Sequence, residues 1–129
     1  MRIDMNGNFQ KMKRLFLSQS YLDAWELYAD TLEDENACLW DYVILTASNE
    51  LQAEAFRKEI DCRLIKGVIP AKVKYAVIPD PDGKRVGSGG AAFNVLRYLF
   101  EQEGENFLDR KILVIHSGGD SKRIPQYSV

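Results

Sequence analysis

Three short apolar runs, separated by stretches of helical periodicity, constrain this chain more than any other feature. They are Tyr42-Val-Ile-Leu-Thr46, the segment from Lys72 to Ile78, and the segment from Lys111 to Ile115. The first is a short apolar run rich in β-branched residues, as expected of a strand covered on both faces. After it, Asn49 can cap a helix, with Gln52 at the capping-box position. That helix should run to about Cys62, with Leu51, Ala55, Phe56 and Ile60 facing the core. A second connecting helix is expected from about Ala91 to Glu101, with Phe93, Leu96, Leu99 and Phe100 as its apolar stripe. Strands that alternate with helices across short loops must lie parallel, joined by right-handed crossovers. The expected fold class is α/β, a Rossmann-like parallel sheet of βαβαβ order.

Two helices are expected ahead of the sheet, after a lead-in over residues 1–8. One spans about Phe9 to Ser18, with Met12, Leu15 and Phe16 on one face. Ser20, with Asp23 three residues on, reads as the cap of the next, from Tyr21 to about Asp30. Leu22 and Trp25, with Tyr28 or Ala29, supply that helix's stripe. The acidic run from Thr31 to Ala37 reads as a solvated connection rather than a cation site. The chain thus divides into a helical segment, 1–39, and a Rossmann-like segment, 40–129.

Bulk properties narrow the function. A chain of 129 residues, 46% hydrophobic and 28% charged, has the make-up of one soluble unit with a real core. A net charge of −2 argues against a nonspecific nucleic-acid or anionic-membrane binder, but leaves room for a local anion site. Cys38 and Cys62 have neither metal-ligand nor disulfide-framework spacing, and read as free thiols of a reducing, cytoplasmic compartment. The apolar run Leu15-Phe16-Leu17 is too short for a signal peptide, and no stretch is long enough to span a membrane.

In a parallel sheet of this order, three loops share the edge where the strands' carboxyl ends meet the helices' amino ends. They are Thr46–Asn49, Asp80–Gly90 and His116–Pro125. Ligands of open parallel sheets bind at that edge. Pro79-Asp-Pro-Asp-Gly83 is a turn, because the prolines set φ and Asp-Gly favours reversal. Gly87-Ser-Gly-Gly90 can bring backbone amides close to an anion at a helix start. It reads equally as a turn with a close helix–strand contact. With Ala92 it also matches G-x-G-x-x-A, a dinucleotide fingerprint. The long turn before it and the absence of an acidic residue at the next strand's end weigh against NAD.

The terminal loop Ser117-Gly-Gly-Asp-Ser-Lys-Arg-Ile-Pro125 is more specific. Its small residues can expose amides, and Lys122 and Arg123 can neutralise a polyphosphate, Arg123 bidentately. Gly-Lys-Ser/Thr is absent, so it is not a Walker A loop. The plain alternative is a solvated basic loop. His116, at the strand end, is placed either to touch a ligand or to serve the structure.

Gly87-Ser-Gly-Gly-Ala91 and His116-Ser-Gly-Gly-Asp-Ser-Lys-Arg-Ile-Pro-Gln-Tyr127, at this separation, closely resemble the N-terminal region of the fucokinase/GDP-fucose pyrophosphorylase family. Trp40-Asp-Tyr-Val-Ile-Leu-Thr46 resembles its first strand. In that family the second motif is a variant of the sugar nucleotidyltransferase signature Gly-Gly-x-x-x-Arg-(apolar)-Pro. The resemblance implies GDP-fucose synthesis from GTP and fucose 1-phosphate, in some chains beside an ATP-dependent L-fucokinase domain. It implies that Ser117, Gly118 and Gly119 contact the nucleotide, and that Gly87, Ser88, Gly89 and Gly90 form a second wall. Arg123, assisted by Lys122, would stabilise the leaving pyrophosphate, with no covalent nucleophile. Mg²⁺ would accompany the triphosphate.

Two departures follow from the same resemblance. Ala92 stands where relatives often carry a hydroxyl. The signature's downstream Gly-Lys and its metal-binding aspartate would fall beyond Val129. The expected chain is therefore the opening part of a longer enzyme, and these 129 residues alone are expected not to turn over. The alternative is a non-catalytic binding or regulatory module of an L-fucokinase. An edge strand left unpaired would offer a route to a homo-oligomer.

Overall fold

The computed structural model describes residues 5–37 and 39–117. Its three strands are β1 (Tyr42–Ala47), β2 (Lys74–Pro79) and β3 (Ile112–Ile115). Its three helices are α1 (Met5–Glu33), α2 (Glu50–Lys66) and α3 (Gly87–Glu103). All strands are parallel, in the order β2-β1-β3. Tyr42 pairs with Lys74 on one side and Ile112 on the other.

The chain leaves β1 in one direction to form β2, then crosses back past β1 to form β3. With both crossovers of one hand, the reversal puts α2 and α3 on opposite faces. The packing agrees. Tyr42 and Ile44 of β1 cluster with Val95 and Leu99 of α3. Ala47 clusters with Ala53 of α2 and Val77 of β2, with Leu45, Phe56 and Ile60 against them. Side chains alternate across a strand, so β1 supplies both cores and is the most buried element.

The caps of α2 follow from its sequence. Asn49 sits in extended backbone, and its side chain accepts from the Gln52 amide at 2.8 Å. At the other end Gly67 takes φ +68°, and Val68 N–H reaches back to the Arg63 carbonyl at 3.1 Å. That is the Schellman closure, which needs a left-handed residue and so favours glycine.

Four expectations are corrected. The two N-terminal helices are one 29-residue helix. Ser18 and Ser20 do not end it, because serine costs a helix only tenths of a kcal/mol and no Gly or Pro stands nearby. A Gln19–Asp23 hydrogen bond spans the supposed break at 2.8 Å. Met12, Leu15, Phe16, Leu22 and Trp25 are exposed. The end of α1 is tied down instead, with Thr31 buried and the Tyr28 hydroxyl donating to the Val68 carbonyl.

The acidic run is the second correction: it closes α1 and then forms a 3₁₀ turn, Glu35–Ala37. Third, α2 faces the sheet through Ala53, Phe56 and Ile60, while Leu51 is 79% exposed. Fourth, α3 begins at Gly87 rather than Ala91, and buries Ala91, Val95 and Leu99. Phe93, Leu96 and Phe100 are exposed. The helix presents its smaller side chains to the sheet, which lets its axis come close to Ile44. Residue size was a poor guide to which stripe is buried.

The amino edge of the sheet carries a charged network. The Glu103 carboxylate accepts from the Tyr42 hydroxyl at 3.1 Å and from Arg110 Nε at 2.8 Å, with Lys74 Nζ at 3.5 Å. Among the described residues no helix is long and apolar enough to cross a membrane.

Candidate functional site

At the carboxyl edge, residues from all three shared loops surround one cleft of about 560 Å³. The end of β1 contributes Thr46 and Ser48, and the first turn of α2 contributes Gln52. The segment after β2 contributes Asp80 and Arg85. The first turn of α3 contributes Gly87, Ser88 and Ala91, and the end of β3 contributes His116 and Ser117. The cleft lies where the strand order reverses, the usual ligand position in an open parallel sheet.

Local bonds hold this lining in place. Asp80 N–H donates to the Ala47 carbonyl at 2.8 Å, extending the β1–β2 ladder by one rung. The Thr46 side chain is buried. Its hydroxyl accepts from Ser117 N–H at 3.1 Å and meets His116 Nδ1 at 3.3 Å. Thr46 therefore fixes where the chain leaves β3. Ser48 donates to Gln52 Oε1 twice, from its backbone N–H at 2.7 Å and from its hydroxyl at 3.0 Å.

The two helix starts near the cleft differ. α2 is capped by Asn49. α3 follows Val86, which offers no side-chain cap, and its first turn opens on the cleft. Uncapped first-turn amides carry the positive end of the helix dipole, an arrangement suited to an anion. Arg85 adds a formal positive charge to the same lining.

The residues singled out from sequence fall in three groups. Gly87, Ser88 and Ser117 line the cleft. Gly89 and Gly90 sit in the same helical turn without lining it. Gly90 has a different constraint: a Cβ there would lie 2.6 Å from Val86 Cβ. Gly87, at φ +73°, meets the requirement for left-handed backbone where the chain enters the helix. The third group, Gly118, Gly119, Lys122 and Arg123, lies outside the described residues.

The sequence marks the loops of this edge but does not single out Thr46, Asp80 or Arg85 as lining residues, and it presents Gln52 only as a capping residue. The available signal was position, since Thr46, Asp80 and His116 all stand at or just past the carboxyl end of a strand. Cys62 is a free, exposed thiol, and Cys38 lies outside the described residues.

Comparison with known proteins gives the same direction as the motifs. The chain is 39% identical over 89 residues to the fucose-1-phosphate guanylyltransferase of Mus musculus, and 37% identical over 89 residues to that of Homo sapiens. It is 35% identical over 106 residues to the bifunctional fucokinase/GDP-fucose pyrophosphorylase of Arabidopsis thaliana. These matches cover 69%, 69% and 67% of this chain. They span only 15% of each guanylyltransferase and 10% of the plant protein. No family model matches, and no solved structure matches. The resemblance read from the two motifs is thus borne out by relatives of those names.

Proposed function

We propose that this chain, a relative of the fucose-1-phosphate guanylyltransferases, forms the nucleotide-binding start of a sugar-1-phosphate nucleotidyltransferase domain. The parent enzyme would make GDP-fucose from GTP and fucose 1-phosphate. The observation that carries this reading is the convergence of all three carboxyl-edge loops on one cleft, with Gly87, Ser88 and Ser117 in its lining. The similarity to relatives with that activity in their names supports it. On this reading the sheet is a Rossmann-like core of the sugar nucleotidyltransferase type.

The chemistry asks for positioning and charge neutralisation. A phosphate oxygen of the sugar phosphate attacks the α-phosphorus of the triphosphate. The bond to the bridging oxygen breaks, and pyrophosphate leaves with its electron pair. No protein nucleophile is needed. The uncapped first turn of α3 and Arg85 would hold phosphate oxygens. Ser117 would contact the nucleotide, and Arg123 with Lys122 would offset charge on the departing pyrophosphate.

Mg²⁺ is the usual companion of a triphosphate, bound through one or two carboxylates and the phosphates. Among the described residues no group of three His, Cys, Asp or Glu side chains could hold a metal ion. The described residues therefore do not make a metal site, and no step here is assigned to the ion.

Thermal unfolding tests the reading directly. Millimolar GTP should raise the Tm of the 129-residue chain, as expected when a ligand binds only the folded state. Arg123→Ala should shrink that rise. An unchanged Tm across the GTP range, confirmed by calorimetric titration without heat, would refute the pocket.

A further inference from the structure

Two polar side chains in the cleft have opposite hydrogen-bonding sense, and both are set by the local fold. Gln52 is the first. Its contact with Ser48 includes a backbone N–H, which can only donate, so the carboxamide atom facing Ser48 must be Oε1. The Ser48 hydroxyl donates to the same oxygen. The side chain is half-buried, so its orientation is held on both counts. Its remaining group, the Nε2 amide, is a pure donor. No described residue accepts from it.

Asp80 is the second. It stands just past β2, with its backbone fixed by the bond to Ala47. An aspartate before a 3₁₀ turn commonly spends its carboxylate on the turn's own amides. Asp80 makes no such cap to the turn Pro81–Gly83. No described residue donates to its carboxylate. It is half-buried and lines the same cleft as Gln52.

We infer that Gln52 and Asp80 are the residues that read the nucleotide's base, and that together they select guanine. A carboxylate has two acceptor oxygens, and guanine alone among the common bases presents two adjacent N–H donors to them, at N1 and N2. Guanine's neighbouring O6 is an acceptor for a pure donor such as Gln52 Nε2. Adenine would turn the N1 lone pair toward a carboxylate, and uracil offers one N–H between two carbonyls. A site whose buried polar groups are left unpaired by the wrong ligand discriminates strongly. This assignment rests on the proposed nucleotide pocket and adds the base-reading side chains to it. It leaves the phosphates to Arg85 and the α3 start.

The experiment is calorimetric titration of the full 129-residue chain and two isosteric variants with GTP, ATP and xanthosine triphosphate. Wild type should prefer GTP. Asp80→Asn should weaken GTP binding about tenfold or more and improve binding of xanthosine triphosphate, whose second carbonyl replaces the N2 amino group. That gain also shows that the variant is folded. Gln52→Glu keeps an oxygen for Ser48 but replaces the donor, and should remove the preference for GTP over ATP. If wild type prefers GTP and both variants keep that preference unchanged, the base is read elsewhere: this inference falls while the pocket stands. If wild type binds no nucleoside triphosphate, the pocket falls, and this assignment with it.

Discussion

The two edges of the sheet use the same kinds of side chain for opposite ends. At the amino edge, Glu103 meets Tyr42, Lys74 and Arg110, so the charges there answer one another. Arg110 and the other donors hold the Glu103 carboxyl below its ordinary value. Burial, reinforced by Glu103, pushes the Tyr42 phenol up. At the carboxyl edge, the α3 start has no side-chain cap, and Gln52 Nε2 and the Asp80 carboxylate have no partners among the described residues. Charged residues in a hollow are therefore poor evidence of a site by themselves. A hollow at the amino edge, about 250 Å³, is lined by Asp41, Lys72, Lys74, Glu103 and Arg110 among others. The lesson is to ask whether the polar groups are already spent on the fold.

The comparison can be broken at its root by removing what both edges share. Leu99 is 1% exposed and packs under β1 with Ile44 and Val95. Leu99→Ala should cost about 2–5 kcal/mol, the usual range for a buried leucine. Urea denaturation would measure the loss, and GTP binding should weaken as the folded fraction falls. Retained stability would mean that α3 is not the support common to both edges.

A paired experiment sharpens the contrast. Arg85→Ala should weaken GTP binding about tenfold, the value of one charge-assisted phosphate contact. Arg110→Ala should lower Tm while GTP affinity holds. Calorimetry and thermal unfolding on the same two proteins would decide. Equal effects on both readouts would erase the distinction between the edges.

The smallest expected effect is in the pH dependence of stability. Glu103 has its folded pKa depressed below the ordinary value of 4.5, so the folded state favours its ionised form. The stability it adds is complete above the ordinary carboxylate value and disappears as pH falls through the folded value. The Tm difference between wild type and Glu103→Gln should therefore be full near neutrality and close in acid. A difference that stays constant down to low pH would show that the Glu103 charge is not what holds this edge.

Much of the fold was legible along the chain because local signals agreed. Asn49 before an apolar period and the Pro-Asp-Gly turn mark boundaries through capping and φ constraints that act within a few residues. Tyr42–Thr46 read as a central strand because β-branched residues continue without polar alternation. Less was legible where two local patterns competed. Phe93, Leu96 and Phe100 form as good a helical stripe as Ala91, Val95 and Leu99, and only the approach of β1 selects between them. Ser20 read as a cap, yet serine inside a helix costs too little to break it. The three glycines of 87–90 admit both anion binding and close packing. In the fold, Gly87 opens on the cleft and Gly90 meets the Val86 side chain.

The strands Tyr42–Ala47, Lys74–Pro79 and Ile112–Ile115, their parallel sense and the edge where their loops gather follow from local periodicity, caps and the single favoured hand of a crossover. Which side chains share the cleft, and which are spent elsewhere, depends on how the strands and helices pack. Gln52 and Asp80 are 28 positions apart in the chain. They line one cleft because β1 and β2 end side by side, with Ala47 opposite Pro79. Register brings distant residues together, and a hydrogen bond already made, such as Ser48 to Gln52 Oε1, sets which face of a side chain is left for a ligand.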